Sequence, residues 1–475
     1  MPKKKKSFTI AIAGAGPAGL LLARDLARAG MMVTVYEKRT KGAKAHDWSD
    51  AIEYGALREA GFDMPVAENG NYRGRLVKKT PTGKGLFEKH AVNPLQIWAP
   101  DRSCKTKVDV EFGYILTDRV ALDDMLRAEA GKAGARICYS HQAVGLLGRT
   151  KGPLGDLRVE GVRVKDPKGR TIDARADVTV DATGMLSVLR TGMSASGALE
   201  RPFGGNEIAY AWRTVRALDR AKLGPGGIPD HYRYGAHKGY FWTHLHDDAT
   251  IDVGGGVKDE PGRVDPAEIV KRIIDEYPAI TSKESRGGGG RVLVGRSPWS
   301  LVASGFLAVG DAAGQVIPTT GCGVGAGLAG AMMAARTVIE AEARGDAGIG
   351  SLWAYNRRWF VESERGANLA ALGALKDILQ NLSHDELAFL IGKDILSGEM
   401  LTPSINGRFF APDQRTMMST LVSGIARPAI LMKLGRATTI GKKVYAHYRR
   451  YPTEWSDRAF ARWMSEAERI FSGIA

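Results

Sequence analysis

Residues 8–37, FTIAIAGAGPAGLLLARDLARAGMMVTVYE, decide the fold of this chain. Phe8 to Ala13 is an apolar run of strand length. Gly14, Gly16 and Gly19 follow at the spacing G-x-G-x-x-G, and Leu20 to Ala29 repeats apolar residues at helical period. Met31 to Tyr36 reads as a second strand that ends on an acid, Glu37, 23 residues beyond Gly14. Each spacing has a physical reason. Gly14 permits the tight strand-to-helix turn, Gly16 lets backbone approach a pyrophosphate, and Gly19 lets helix and strand pack closely. The helix start offers free N–H groups and a positive dipole end to phosphates. Ala18, within the motif, and Glu37 with Lys38, at the end of the second strand, complete the nucleotide-contacting set. The stretch predicts a dinucleotide site without distinguishing which dinucleotide. A ligand-free glycine turn would need neither the following helix nor the acid.

Composition bounds the rest. The 475 residues are enough for two or three domains, and 44% hydrophobic with 25% charged residues is ordinary for a globular chain. Cys104, Cys138 and Cys322 lack C-x-x-C spacing, so neither a disulfide framework nor a zinc site is expected, and a reducing cytoplasm fits. The net charge of +15 raises nucleic acid, anionic membrane and anionic substrates as partners. No nucleic-acid motif accompanies the charge, and none of these ligands is expected to be nucleic acid. Lys3 to Lys6 read as a solubilising tail, with no apolar segment after them to make a signal peptide. The uncharged run Ala312 to Ala335 has the length of a membrane span, but its glycines and Pro318 predict a buried loop followed by a helix.

Along the chain, Lys38 to Asp50 is a polar loop and about Ala51 to Glu59 a helix. Gly70 to Val110 alternates short β-like runs with turn signals, and Tyr114 to Ala133 passes from an apolar run into a helix. Val159 to Val164 and Thr171 to Ala174 read as a hairpin, and Val178 to Val180 as a buried strand. Ile208 to Val215, Tyr232 to Leu245 and Ala249 to Val257 are longer strands, and Pro266 to Tyr277 a helix. Gly287 to Gly290 reads as a flexible break. Beyond about Leu328 the chain is mostly helical, and its basic, aromatic stretch Lys442 to Arg450 reads as a solvated face, with membrane contact as the second reading.

Two more motifs turn the nucleotide reading into a flavin reading. Asp181-Ala-Thr-Gly184 follows a buried strand. Gly310-Asp311-Ala-Ala-Gly314 follows another, with Pro318 and then Gly321-Cys322-Gly323-Val324 before a small-residue helix. A strand-end acid such as Asp311 suits a ribityl hydroxyl. The helix start at Gly321 to Val324 offers backbone N–H groups to the pyrimidine edge of an isoalloxazine, where a reduced flavin carries negative charge.

Together the three motifs resemble the class of FAD proteins that contains para-hydroxybenzoate hydroxylase, flavin halogenases and geranylgeranyl reductases. The resemblance spans residues 8 to about 340. It implies an α/β fold: a Rossmann-like FAD domain of hydroxylase type from residues 7–70, 111–190 and 287–345, a substrate-binding sheet domain from 71–110 and 191–286, and a helical region over 346–475. It also matches Arg119, in TDRVALDDML, to an arginine that helps hold the flavin; a helix-surface arginine is the alternative.

Gly239-Tyr240-Phe241-Trp242-Thr243-His244-Leu245, with Asp252-Val-Gly-Gly-Gly256 after it, is similar to the Y-x-W-x-F-P segment and following glycine strand of the geranylgeranyl reductase family. Tyr240 and Trp242 share one strand face at period two, as two aromatic walls for a long apolar chain; ordinary sheet core is the alternative. His244 stands where the family has Phe, so it joins the substrate set. The cysteine that archaeal members carry in the loop after the second strand is absent; if that thiol assists protonation in relatives, His46 or Asp47 would have to substitute, or the chemistry differs. His244 and His246 alone do not make a metal site.

The resemblance implies an FAD-dependent oxidoreductase that reduces isoprenoid C=C bonds by hydride transfer from N5 of the reduced flavin. NAD(P)H or a ferredoxin-like protein would be the donor, in the cytoplasm or peripheral to the inner face of the membrane. An FAD monooxygenase of an aromatic or polyketide-like substrate is the alternative, and a flavin-binding protein without turnover a more distant one.

Overall fold

The computed structural model describes residues 7–43, 48–64, 66–68, 71–73, 86–87, 95–108, 114–224, 228, 231–234, 238–245 and 249–473. Its first sheet has six strands, in the spatial order Val302–Ala303, Phe306–Ala308, Val178–Asp181, Thr9–Ala13, Met32–Glu37 and Arg136–Tyr139. All neighbours pair in parallel except the first two. Ala13 stands beside Asp181, and Asp181 beside Ala308. The three glycine-bearing motifs therefore leave the sheet side by side at one carboxyl edge, where open α/β sheets bind ligands. This register is why motifs separated by hundreds of residues meet.

Helix Pro17–Arg28 packs against helices Arg119–Lys132 and Val324–Arg344. The close approach needs small residues. A Cβ on Gly14 or Gly19 would overlap the backbone carbonyl of Ala182 or of Gly14, and Gly14 sits at φ +104°. Leu20, Leu21, Leu22 and Leu26 are fully buried, as the apolar period of the helix requires.

The second sheet has seven strands, ordered Ile280–Leu293, Ile208–Leu218, Thr250–Lys258, Gly239–Leu245, His231–Tyr234, Leu95–Trp98 and Lys105–Val108. Helix Pro266–Asp275, capped by Asp265, covers one face, and Phe241, Ile251, Val253, Val270 and Ile273 form the core beneath it. The opposite face carries Tyr240, Trp242 and His244, as strand alternation dictates.

Three expectations are corrected. Gly287 to Gly290 are no flexible break but part of the 14-residue strand Ile280–Leu293, paired with Ile208–Leu218. An aromatic ring accounts for one of those glycines: a Cβ on Gly289 would stand 2.7 Å from Trp212 Cε3. On strand Thr250–Lys258, a Cβ on Gly254 or Gly255 would overlap the rings of Trp242 or Phe241. Residues 51–53 belong to a strand, Ser49–Glu53, paired with Tyr114–Asp118, and the helix starts only at Tyr54. Within Lys442 to Arg450, His447 and Tyr448 are buried, with the His447 ring 4.8 Å from that of Trp463, while Lys442, Lys443, Arg449 and Arg450 are exposed. The run Ala312 to Ala335 is the expected buried loop and helix start. Among the described residues no helix is long and apolar enough to cross a membrane.

Candidate functional site

A cavity of about 1050 Å³ runs from the glycine loop at Gly14 to Gly19, past the Gly310 and Gly321 turns, to the aromatic face of the second sheet. Helices Arg365–Leu379, His384–Gly392 and Gly398–Ile405 close it with Leu379, Leu387 and Leu401.

At the nucleotide end the residues fit a dinucleotide. A Cβ on Gly16 would meet nothing within 4 Å, so the backbone there borders open space at the start of helix Pro17–Arg28. Ala18 sits under the Gly310 turn, where a Cβ on Gly310 would stand 3.2 Å from its own Cβ. Glu37 lines the cavity but also braces the loop. One of its oxygens accepts from Ala15 N at 2.8 Å, and the other from Arg39 N at 2.9 Å and Arg39 Nε at 2.8 Å. Burial opposes its ionisation, yet the hydrogen bonds from Arg39 and Ala15 hold its carboxyl below the usual range. Lys38 also lines the cavity.

Asp181 does something else. It is fully buried and does not reach the cavity wall. Its oxygens accept from Thr183 N, Thr183 Oγ1, Leu189 N and Arg190 N at 2.6–3.1 Å. The carboxylate thus shapes the turn that presents Ala182, Thr183 and Gly184 to the cavity; sequence spacing marked the turn and not this division of labour.

At the Gly310 turn, Asp311 lines the cavity, and no hydrogen-bond partner for its carboxylate is found among the described residues. Burial raises its pKa, and the Arg119 guanidinium partly offsets the rise. An acceptor without a protein donor, at a strand end, fits a ligand hydroxyl. Pro318, Gly321, Cys322, Gly323 and Val324 share the wall, and helix Val324–Arg344 starts there with no side-chain cap. Its first N–H groups are available to an electron-rich ligand edge. Burial pushes the Cys322 thiol up to about 11, so it keeps its proton at neutral pH.

Arg119 is buried in the wall and not on a helix surface. It donates to Asp50 Oδ2 at 2.7 Å, while Asp50 Oδ1 accepts from Arg213 Nη1 at 2.9 Å. Arg213 also donates to Asp252 and to the Ser49 carbonyl, and its guanidinium lies 5.4 Å from the Trp48 ring centre and 5.9 Å from that of Trp242. Sequence reading missed this charged chain. Its members, Asp50, Arg119, Arg213 and Asp252, come from four separate segments that only the tertiary fold brings together.

Tyr240, Trp242 and His244 all line the cavity. The Tyr240 and Trp242 ring centres are 5.8 Å apart, Tyr232 lies 5.3 Å from Tyr240, and the Tyr232 hydroxyl is 3.2 Å from His244 Nε2. The Tyr240 hydroxyl donates to the Thr320 carbonyl, which ties the aromatic wall to the Gly321 turn. Tyr232 had no signal in the sequence beyond being an aromatic in a strand. His46, Asp47 and His246 lie outside the described residues.

A cradle for a dinucleotide, an open acceptor at Asp311 and an apolar chamber beside them define an FAD-dependent oxidoreductase of the para-hydroxybenzoate hydroxylase-like fold. A family model described as the FAD binding domain matches residues 7–212. The chain is 30% identical to a digeranylgeranylglycerophospholipid reductase of Methanothrix thermoacetophila, over 80% of this chain and 89% of that protein. It is 24% identical to one of Sulfolobus acidocaldarius, over 99% and 98%. It belongs to the geranylgeranyl reductase family. Among solved structures, a geranylgeranyl bacteriochlorophyll reductase-like protein of Thermoplasma acidophilum has the same fold, with a TM-score of 0.67 at 21% identity, over 91% of this chain and 99% of that one.

Proposed function

We propose that the protein reduces C=C bonds of an isoprenoid chain, carried by a prenyl diphosphate or a prenylated glycerolipid. The observation that carries this reading is the chamber's build. Tyr232, Tyr240, Trp242 and His244 line one side and leucines of the C-terminal helices another, continuous with the nucleotide cradle. Such a slot buries a long apolar chain. When bound, FAD supplies the hydride for this reduction.

The residues of the chain divide the remaining work. Gly14, Gly16, Ala18 and Gly19 leave room for the pyrophosphate, with Glu37 and Lys38 at the ribose. Asp311 takes the ribityl hydroxyl, and Gly184 lines the same cavity. The uncapped helix start at Gly323 and Val324, beside Pro318, Gly321 and Cys322, stabilises negative charge on the flavin edge. Arg119, fixed by Asp50, adds a positive charge at the same wall. Tyr240 and Trp242 hold the substrate chain flat. His46 or Asp47 delivers the proton. Electrons come from NAD(P)H as a transient visitor or from a ferredoxin-like protein, on the cytoplasmic side of the membrane.

The test is anaerobic. The purified holoprotein is reduced with dithionite and mixed with geranylgeranyl diphosphate or a prenylated glycerolipid. Reoxidation of the flavin, with a product heavier by one H2 per double bond, is expected. A flavin that stays reduced until oxygen enters, and then oxygenates an aromatic substrate, would overturn the reading.

A further inference from the structure

Helix Gln414–Gly424 and the start of helix Pro428–Tyr448 form a hairpin with an apolar outer surface. Met417, Met418, Leu421, Val422, Ile425 and Met432 are exposed there, the last three by 70%, 77% and 69%. The other exposed large hydrophobic residues among those described are scattered between Met32 and Ile339. Scattered apolar residues are normal on a surface, but six within 16 positions form a patch. The apex is tightly made: a Cβ on Gly424 would stand 2.8 Å from Leu431 Cγ, so the two helices meet closely.

Charge selects what covers this patch. Between Arg408 and Arg450 nine side chains are cationic and one, Asp413, is anionic. Arg415, Lys433, Arg436, Lys442 and Lys443 are exposed. A second copy would bring like charges together, whereas an anionic lipid surface offers both apolar depth and phosphates. The hairpin is also joined to the cavity wall. Lys433 pairs with Glu386 at 2.6 Å, and Arg427 with Asp385 at 3.4 Å, both on helix His384–Gly392, whose Leu387 lines the chamber. Helix Pro428–Tyr448 packs along Arg365–Leu379, which contributes Lys376 and Leu379 to the same wall.

We propose that the 414–432 hairpin docks the protein on an anionic membrane, with its apolar apex among the acyl chains and its flanking cations on lipid phosphates. The docked face then lies against the helices that wall the chamber, a placement whose purpose rests on the lipid-reducing function inferred above.

Flotation of the full-length holoprotein with vesicles of phosphatidylcholine, with and without phosphatidylglycerol, tests the docking without reference to turnover. The wild-type protein is expected to float with the anionic vesicles and to be released by salt. The variant Met418→Glu/Val422→Glu/Ile425→Glu is expected to lose about a hundredfold in partitioning. Its flavin content, circular dichroism and turnover of detergent-dispersed substrate should be unchanged, since none of the three residues touches the cavity. A wild-type protein that ignores anionic vesicles, or a variant that floats as well, would overturn the proposal. So would a wild-type dimer that the variant splits into monomers, which would make the patch a subunit contact. Flotation without isoprenoid reduction would leave the docking standing and the lipid-reductase reading broken.

Discussion

Arg119 donates to Asp50 at 2.7 Å, and the other oxygen of that same carboxylate holds Arg213 at 2.9 Å. One carboxylate thus bridges two guanidinium groups where the wall at Arg119 meets the aromatic wall at Trp242, and Arg213 has Asp252 as a second acid. Asp50→Ala should destabilise the apoprotein by about 3 kcal/mol, because it leaves the buried Arg119 without its hydrogen-bonded carboxylate, while Arg213 keeps Asp252. Urea unfolding of the flavin-free protein reads this directly, and a loss below about 1 kcal/mol would show that neighbouring groups take over.

Gly14 and Gly16 should behave differently when replaced by alanine. At Gly14 the new Cβ strikes the Ala182 carbonyl, at a positive φ, so Gly14→Ala should lower thermal stability and flavin content together. At Gly16 only open space receives it. Gly16→Ala should keep the apoprotein's stability within about 1 kcal/mol and weaken FAD binding roughly tenfold or more. Fluorescence titration with FAD beside apoprotein melting separates the two.

Asp311 makes a prediction with a definite sign. Burial raises its folded-state pKa above the ordinary carboxyl value, so the fold favours its protonated form. Its contribution to stability is complete below the ordinary range and is lost as pH climbs through the raised value. Asp311→Asn should therefore stabilise the apoprotein at neutral pH, with the difference fading below about pH 4. The same substitution should weaken FAD binding by about ten- to a hundredfold, through a lost charge-assisted hydrogen bond. Stability curves of wild-type and variant apoprotein that run parallel across pH would refute the assignment.

Trp242→Ala removes one side of the aromatic wall without touching the nucleotide cradle. Flavin content should stay at the wild-type level while the KM for a long isoprenoid rises roughly tenfold. Steady-state kinetics beside the flavin absorbance ratio settles it; a parallel loss of flavin would place Trp242 in the cofactor site instead.

The nucleotide cradle was legible in the sequence because its requirements are local. Gly14 and Gly19 are demanded by close backbone approach, Gly16 leaves open space at the helix start, and Asp311 stands at a strand end. The substrate side was legible only in part. Tyr240, Trp242 and His244 follow from strand alternation, whereas Tyr232 joins them only through antiparallel pairing with that strand. Leu379, Leu387 and Leu401 look like any helical core residue until the tertiary fold turns them toward a cavity. The stretch at Gly287 to Gly290 misled because glycine has no strand preference of its own; pairing with residues 211–214, about 75 positions away, makes it a strand. Asp50 and Arg213 had no motif at all, because an ion pair across 163 positions leaves no local trace.

The glycine floor of the second sheet also sets which evolutionary routes are open. At Gly239, Gly254, Gly255 and Gly289 an added methyl would strike backbone or a ring, so these positions are closed to drift. Gly256 and Gly290 line the same chamber, yet a Cβ at Gly256 would find only ordinary contacts beyond 3.4 Å and one at Gly290 nothing within 4 Å. Adaptation to a narrower or more branched hydrocarbon is thus channelled through two sites. A laboratory selection for altered chain preference that randomises Gly256 and Gly290 would sample most of the shape change this floor permits.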